Sequence, residues 1–141
     1  MTLDWTESTD GTDWHELEAL YRAAPLGNKT ADQLRIAFTN SLHVCLIREH
    51  GRLVGAGRVV GDGVDIAYIG DVALLPTHQR QGLGKRIVQQ LLDHSRGHKK
   101  IILYTVPGKE GFYEAFGFRK MATAMAIFDN QDAARQRGYL L

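Results

Sequence analysis

Leu3 and Trp5 alternate with polar neighbours across residues 2–7, and that period of two predicts a short first strand. The period then changes. Asp13 followed by Glu16 has the form of a helix start, and Trp14, Leu17, Leu20 and Tyr21 recur at helical spacing until Pro25 and Gly27 stop the run. Thr30 with Gln33 repeats the capping pattern ahead of Leu34, Ala37 and Phe38, so a second helix is expected to about Asn40. Residues 42–47 and 53–60 are apolar or β-branched and flank the polar turn Glu49-His50-Gly51-Arg52, which predicts an antiparallel hairpin. After Gly61-Asp62-Gly63, residues 66–75 form a third consecutive strand-like run, stopped by Pro76. Residues 82–95 carry Leu83, Ile87, Val88, Leu91 and Leu92 at helical spacing, and 101–106 are β-rich, so strand, helix and strand imply a parallel crossover. A short helix over 110–116 and a last strand over 121–128 complete the prediction. The fold class is therefore α/β (α+β), a mixed and mostly antiparallel sheet flanked by helices.

Length and composition narrow this picture only slightly. A chain of 141 residues without internal repeat or low-complexity linker fits one domain over 1–141. With 44% apolar and 23% charged residues the chain has the composition of a globular domain with a packed core, and indicates neither a disordered chain nor a fibrous repeat. The net charge of +1, without long charge runs, gives no ground for a nucleic-acid or membrane partner. The lone Cys45 excludes an internal disulfide, and no apolar stretch approaches the ~20 residues of a membrane span, so a cytoplasmic location is expected. The six histidines show no spacing that suggests a metal site, and none is expected. His43 reads as a hydrogen-bonded core residue, and His78, His94 and His98 read as solvated.

The segment that carries chemistry is Gln79-Arg80-Gln81-Gly82-Leu83-Gly84-Lys85, which leads from a strand directly into a helix. A helix N-terminus presents about four unpaired N–H groups and roughly half a positive charge, and glycines let a phosphate approach the backbone closely. Arg80, Lys85 and Arg86 add charge of the right sign. The spacing is neither that of a P-loop nor that of a dinucleotide fingerprint.

The Gln79-Arg80-Gln81-Gly82-Leu83-Gly84 run resembles the Gln/Arg-x-x-Gly-x-Gly/Ala signature of the GCN5-related N-acetyltransferase (GNAT) superfamily. Residues 69–74 and the segment Gly111-Phe112-Tyr113-Glu114-Ala115-Phe116-Gly117-Phe118 resemble that family's fourth strand and its Phe-Tyr-x-x-x-Gly-Phe segment. The similarity extends along nearly the whole chain and is to a small, single-domain branch that includes arylalkylamine acetyltransferase-like proteins of bacteria and plastids. The resemblance implies a fourth and a fifth strand that splay apart around acetyl-CoA. It implies that the backbone of Val72 and Leu74 pairs with the pantetheine arm, and that Gln79, Arg80, Gln81, Gly82, Leu83, Gly84 and Lys85 hold the pyrophosphate.

Acyl transfer to an amine needs a carbonyl polarised, a thiolate protonated and an amine proton removed. The resemblance assigns the first to the Val72 N–H and the second to Tyr113. The strand position that often holds glutamate in relatives is Gly70 here, which leaves Asp71 as the nearest acid, either as a base or as a structural carboxylate. Tyr21, Leu26, Tyr68 and Gly70 are the expected acceptor-side residues, and the acceptor is expected to be a small-molecule primary amine ahead of protein N-termini or lysines. A CoA-binding module without turnover, or another phosphorylated ligand at the loop, are the competing readings. A homodimer is expected from a chain that ends in a strand able to pack across a two-fold axis.

Overall fold

The structure, a computed structural model, describes residues 2–141, and the chain divides into two compact units, Met1–Leu103 and Tyr104–Leu141. In the first unit β1 (Leu3–Thr6), β2 (His43–Glu49), β3 (Arg52–Gly61), β4 (Ile66–Leu74) and β5 (Lys100–Ile102) form one sheet in that order. The three pairings from β1 to β4 are antiparallel, and β4–β5 is parallel. The α/β class with a mixed, mostly antiparallel sheet is therefore what the structure shows.

Local chemistry explains where the elements begin and turn. The β2–β3 connection is a two-residue hairpin in which His50 (φ 51°) and Gly51 (φ 77°) are both left-handed, the twist such tight turns require. In α1 (Trp14–Ala23) the Asp13 carboxylate accepts from the His15 and Glu16 N–H groups. Glu16 does not close a reciprocal box; its carboxylate accepts from the Leu53 N–H at 3.1 Å and ties α1 to β3. The reciprocal box does form at α2 (Ala31–Thr39), between Thr30 and Gln33.

The sheet is covered on both faces. A Cβ placed on Gly57 would meet Leu91 at 2.7 Å and Ile87 at 3.1 Å, both from α3 (Leu83–Ser95), so that face of β3 packs tightly against α3. The next residue, Arg58, points the other way and lies over the Phe38 ring of α2 at 5.9 Å. Leu83, Ile87, Val88, Leu91 and Leu92 are buried along one stripe of α3, and Leu17, Leu20, Leu34 and Phe38 supply the opposite layer.

Two features set β4 apart from the other strands. The β3–β4 register passes from Ala56↔Ala73 to Arg58↔Gly70, so Asp71 and Val72 together face Gly57 and β4 carries a bulge there. Asp71 takes the left-handed conformation at φ 56°. Moreover, β5 pairs only with Ile66, Ala67 and Tyr68, so β4 continues to Leu74 with no strand beside it on that edge among the described residues. The fifth strand is accordingly shorter than the 101–106 expected from its composition, because its pairing stops where β4 diverges.

In the second unit α4 (Glu110–Glu114) is followed by the left-handed Gly117, and α5 (Gln131–Gln136) starts at Asn130, whose side chain accepts from the Ala133 N–H at 3.0 Å. Tyr104 packs edge-on against Phe128 and Tyr139. The strand expected over 121–128 does not form: the segment finds no ladder partner among the described residues, and Met125 and Ile127 are 96% and 94% exposed. β-rich composition alone does not make a strand. The ground for a dimer built on a terminal strand goes with it.

Candidate acyl-donor site and the bulge beside it

The free edge of β4 leads straight into the glycine loop. The Leu75 N–H donates to the Val54 carbonyl on the β3 side. Backbone direction alternates along a strand, so Leu74, and Val72 two residues earlier, direct their N–H and C=O groups toward the edge that β5 leaves uncovered. The Leu74 carbonyl also accepts from the Gln79 side-chain amide at 3.2 Å, which folds the loop back onto the strand end.

The loop is fixed by its side chains. Gln81 Nε2 donates to the Thr77 carbonyl at 3.3 Å, so both glutamine side chains fold back onto the backbone that precedes them. His78, in the short 3₁₀ turn Pro76–His78, is buried, with Nε2 3.0 Å from a Glu49 carboxylate oxygen and Nδ1 2.8 Å from the Thr77 hydroxyl. It is an internal anchor, contrary to the solvated histidine expected from its place beside polar residues. Its hydrogen bond to Glu49 holds that carboxyl below the usual carboxylate range. Arg80 (φ 65°) and Gly82 (φ 79°) are both left-handed, and Gly82 is the N-cap of α3 with no side chain closing the helix end. A Cβ on Gly82 would meet nothing within 4 Å, so glycine is required there by backbone conformation and the space in front of it is open.

The first N–H groups of α3 thus lack both a side-chain cap and any acidic residue in the first turn. Arg80 and Lys85 are exposed next to them. Leu83 is buried in the core and offers the site only its backbone. Arg86, counted with the phosphate-side cations on sequence grounds, instead lies over the Trp5 ring at 4.6 Å.

Asp71 proves to be the most heavily tethered residue near this edge. Its carboxylate receives Arg58 Nε at 2.6 Å on one oxygen and Lys29 Nζ at 3.2 Å on the other. Its carbonyl accepts the Tyr21 hydroxyl at 2.5 Å. Tyr21 is 4% exposed, and burial followed by the nearby Asp71 charge pushes its pKa well above the ordinary phenol value. The Tyr21 hydroxyl is therefore engaged with the β4 backbone. Both Asp71 carboxylate oxygens are thus engaged with cations.

Gly70 also finds an explanation. A Cβ there would come within 2.7 Å of the Tyr68 ring, so Tyr68 fills the space that a glutamate side chain would need. Leu26 is half-buried, its N–H bonded to the Tyr21 carbonyl at 2.9 Å. Tyr113 lies in α4 of the second unit, edge-on to Phe112 and Phe118, and burial raises its pKa above the ordinary value, so its hydroxyl keeps its proton at neutral pH. Arg58 and Lys29 were not singled out from sequence; the only signal was an acid within a mostly apolar strand.

Residues 10–118 match the family model described as the acetyltransferase (GNAT) family. An uncharacterized ycf52-like N-acetyltransferase of Prochlorococcus marinus is 32% identical over 109 residues, 73% of this chain and 61% of its own length. The chloroplastic serotonin N-acetyltransferase 2 of Oryza sativa subsp. japonica is 32% identical over 117 residues, 79% of this chain and 58% of its own. The chain thus spans about three-fifths of the length of these relatives. A solved GNAT family acetyltransferase from Streptococcus pneumoniae superposes with a TM-score of 0.74 at 27% identity, covering 92% of this chain and 98% of that one. The match over residues 10–118 and the superposition lead to one conclusion: the chain belongs to the acetyltransferase (GNAT) family.

Proposed function

We propose that the chain transfers an acetyl group from acetyl-CoA to a small primary amine by direct attack. The observation that carries this reading is the continuity of the uncovered β4 edge at Val72 and Leu74 with the uncapped N-terminus of α3. An extended pantetheine arm suits the first and a pyrophosphate suits the second. Arg80 and Lys85 add charge at the phosphate end, while the Gln79 and Gln81 side chains keep the loop in shape.

In the proposed chemistry the amine nitrogen attacks the thioester carbonyl carbon. The oxygen that gains charge is held by the Val72 N–H, and the C–S bond then breaks as the sulfur takes a proton, for which the resemblance to the family offers the Tyr113 hydroxyl. Asp71 serves as a strut, because its two carboxylate oxygens hold Arg58 and Lys29. The amine proton leaves through water. Tyr68 and Leu26 supply apolar surface for the acceptor, and the rice relative named for serotonin supports an amine bearing an aromatic group.

Release of free CoA thiol from acetyl-CoA, followed with a thiol reagent across a panel of arylalkylamines, alkylamines, amino sugars and peptides, tests this directly. Thiol release dependent on a small amine supports the proposal. Release dependent only on peptides moves the acceptor to protein, and tight binding with no amine-dependent release points to a CoA-binding module.

A further inference from the structure

Glu7, His43 and His94 come from distant parts of the chain and meet away from the β4 edge. Glu7 follows β1, His43 opens β2, and His94 lies in the last turn of α3. Their ligand atoms lie within 4.8 Å of one another. His94 Nε2 is 3.2 Å from Glu7 Oε1, and the His43 and His94 rings stack with centroids 3.7 Å apart and planes 12° from parallel. Gln90, one helical turn before His94, donates to Glu7 Oε1 at 3.2 Å.

Two polar atoms in this cluster are left over. His43 Nε2 and Gln90 Oε1 are both buried without a hydrogen-bond partner among the described residues. A buried acceptor with nothing to bond is costly, and such groups call for a partner outside the protein. Two imidazoles and one carboxylate are the donor set that borderline divalent metals take, and an amide oxygen or water completes four-coordination.

We propose that Glu7, His43 and His94 form a binding site for a divalent transition-metal cation of the Zn²⁺ or Ni²⁺ type, with Gln90 beside it. Parallel rings at van der Waals spacing cannot both aim their in-plane lone pairs at one ion about 2.0–2.1 Å away. Binding therefore turns one ring. His94 is the one that moves, because it is exposed on the helix end, and turning it replaces its bond to Glu7 by a shared metal. Exposed Glu7 gives the ion its way in. The bound cation would tie β1, β2 and α3 together at a point where the sequence spacing of 7, 43 and 94 gives no hint of a metal.

Calorimetric titration of the untagged full chain, stripped with chelator and desalted, with ZnCl₂ and with NiCl₂ tests the site. The expected result is saturable binding of one ion per chain, weakened at least about tenfold by His43→Ala and by His94→Ala. His15→Ala, on the exposed face of α1, should leave it unchanged. His94→Ala guards against a fold defect at β2, since the side chain it removes is exposed. Melting temperature should rise with added metal in the parent chain and not in His94→Ala. No saturable binding, or affinity in His94→Ala within twofold of the parent, would overturn the site.

Discussion

The Tyr21 hydroxyl donates to the Asp71 carbonyl at 2.5 Å, joining the end of α1 to the left-handed residue of the β4 bulge. Lys29, eight residues further on, reaches the carboxylate of the same Asp71. Residues 21–29, which include the expected acceptor-side Leu26, are thus pinned at both ends to the residue before Val72. Tyr21→Phe removes one of these bonds and should cost about 1 kcal/mol of stability in urea unfolding. Because the bulge sets the direction of the Val72 N–H, kcat and kcat/KM should fall together while the KM for acetyl-CoA changes little.

The same tyrosine makes a prediction about alkaline stability. Its folded pKa is raised, so the folded chain retains a proton that the unfolded chain loses above about pH 10. The contribution is complete below that pH and declines as pH rises further. The stability advantage of the parent chain over Tyr21→Phe should therefore shrink between pH 8 and pH 10.5. A constant gap would contradict the assignment.

Asp71→Asn separates strut from base. Asparagine tolerates the left-handed conformation and keeps an acceptor oxygen, but no longer neutralises Arg58 and Lys29. A strut predicts a loss in kcat below about tenfold with an unchanged acid limb of the pH–rate profile. Loss of a general base would cost about 10²–10⁴-fold.

Much of this arrangement was legible in the sequence, and for physical reasons. Thr30 with Gln33 and the apolar stripe of α3 are local patterns, and the glycine loop is a run whose spacing carries its chemistry. The bulge was not legible, since residues 66–75 read as an uninterrupted strand and a period-two pattern does not show an inserted residue. The partners of Asp71 lie 13, 42 and 50 residues away, distances that no local signal spans. His78 misled because polar neighbours in sequence say nothing of Glu49 arriving from the hairpin. Residues 121–128 misled in the opposite direction, having the composition of a strand and no partner to complete one.

Tyr113→Phe should lower kcat at least about tenfold with the KM for acetyl-CoA unchanged, as expected for a group that acts only when the thiolate departs. Undiminished turnover would remove Tyr113 from the chemistry and leave it a packing residue.

Cys45 should be inert. It is 0% exposed, and burial pushes its thiol up to about 12, so native protein should resist iodoacetamide at pH 8 while urea-unfolded protein is alkylated rapidly. Alkylation of the native chain would show that β2 opens readily.

The most direct test of the donor site is the dissociation constant of acetyl-CoA for Gly82→Val, measured by calorimetry on protein whose cooperative melting shows it is folded. Valine disfavours the left-handed conformation at φ 79° and puts side-chain atoms into the open space before the α3 amides. The account predicts binding at least about tenfold weaker than in the parent chain, a loss of about 1.4 kcal/mol. A dissociation constant within twofold of the parent would contradict it.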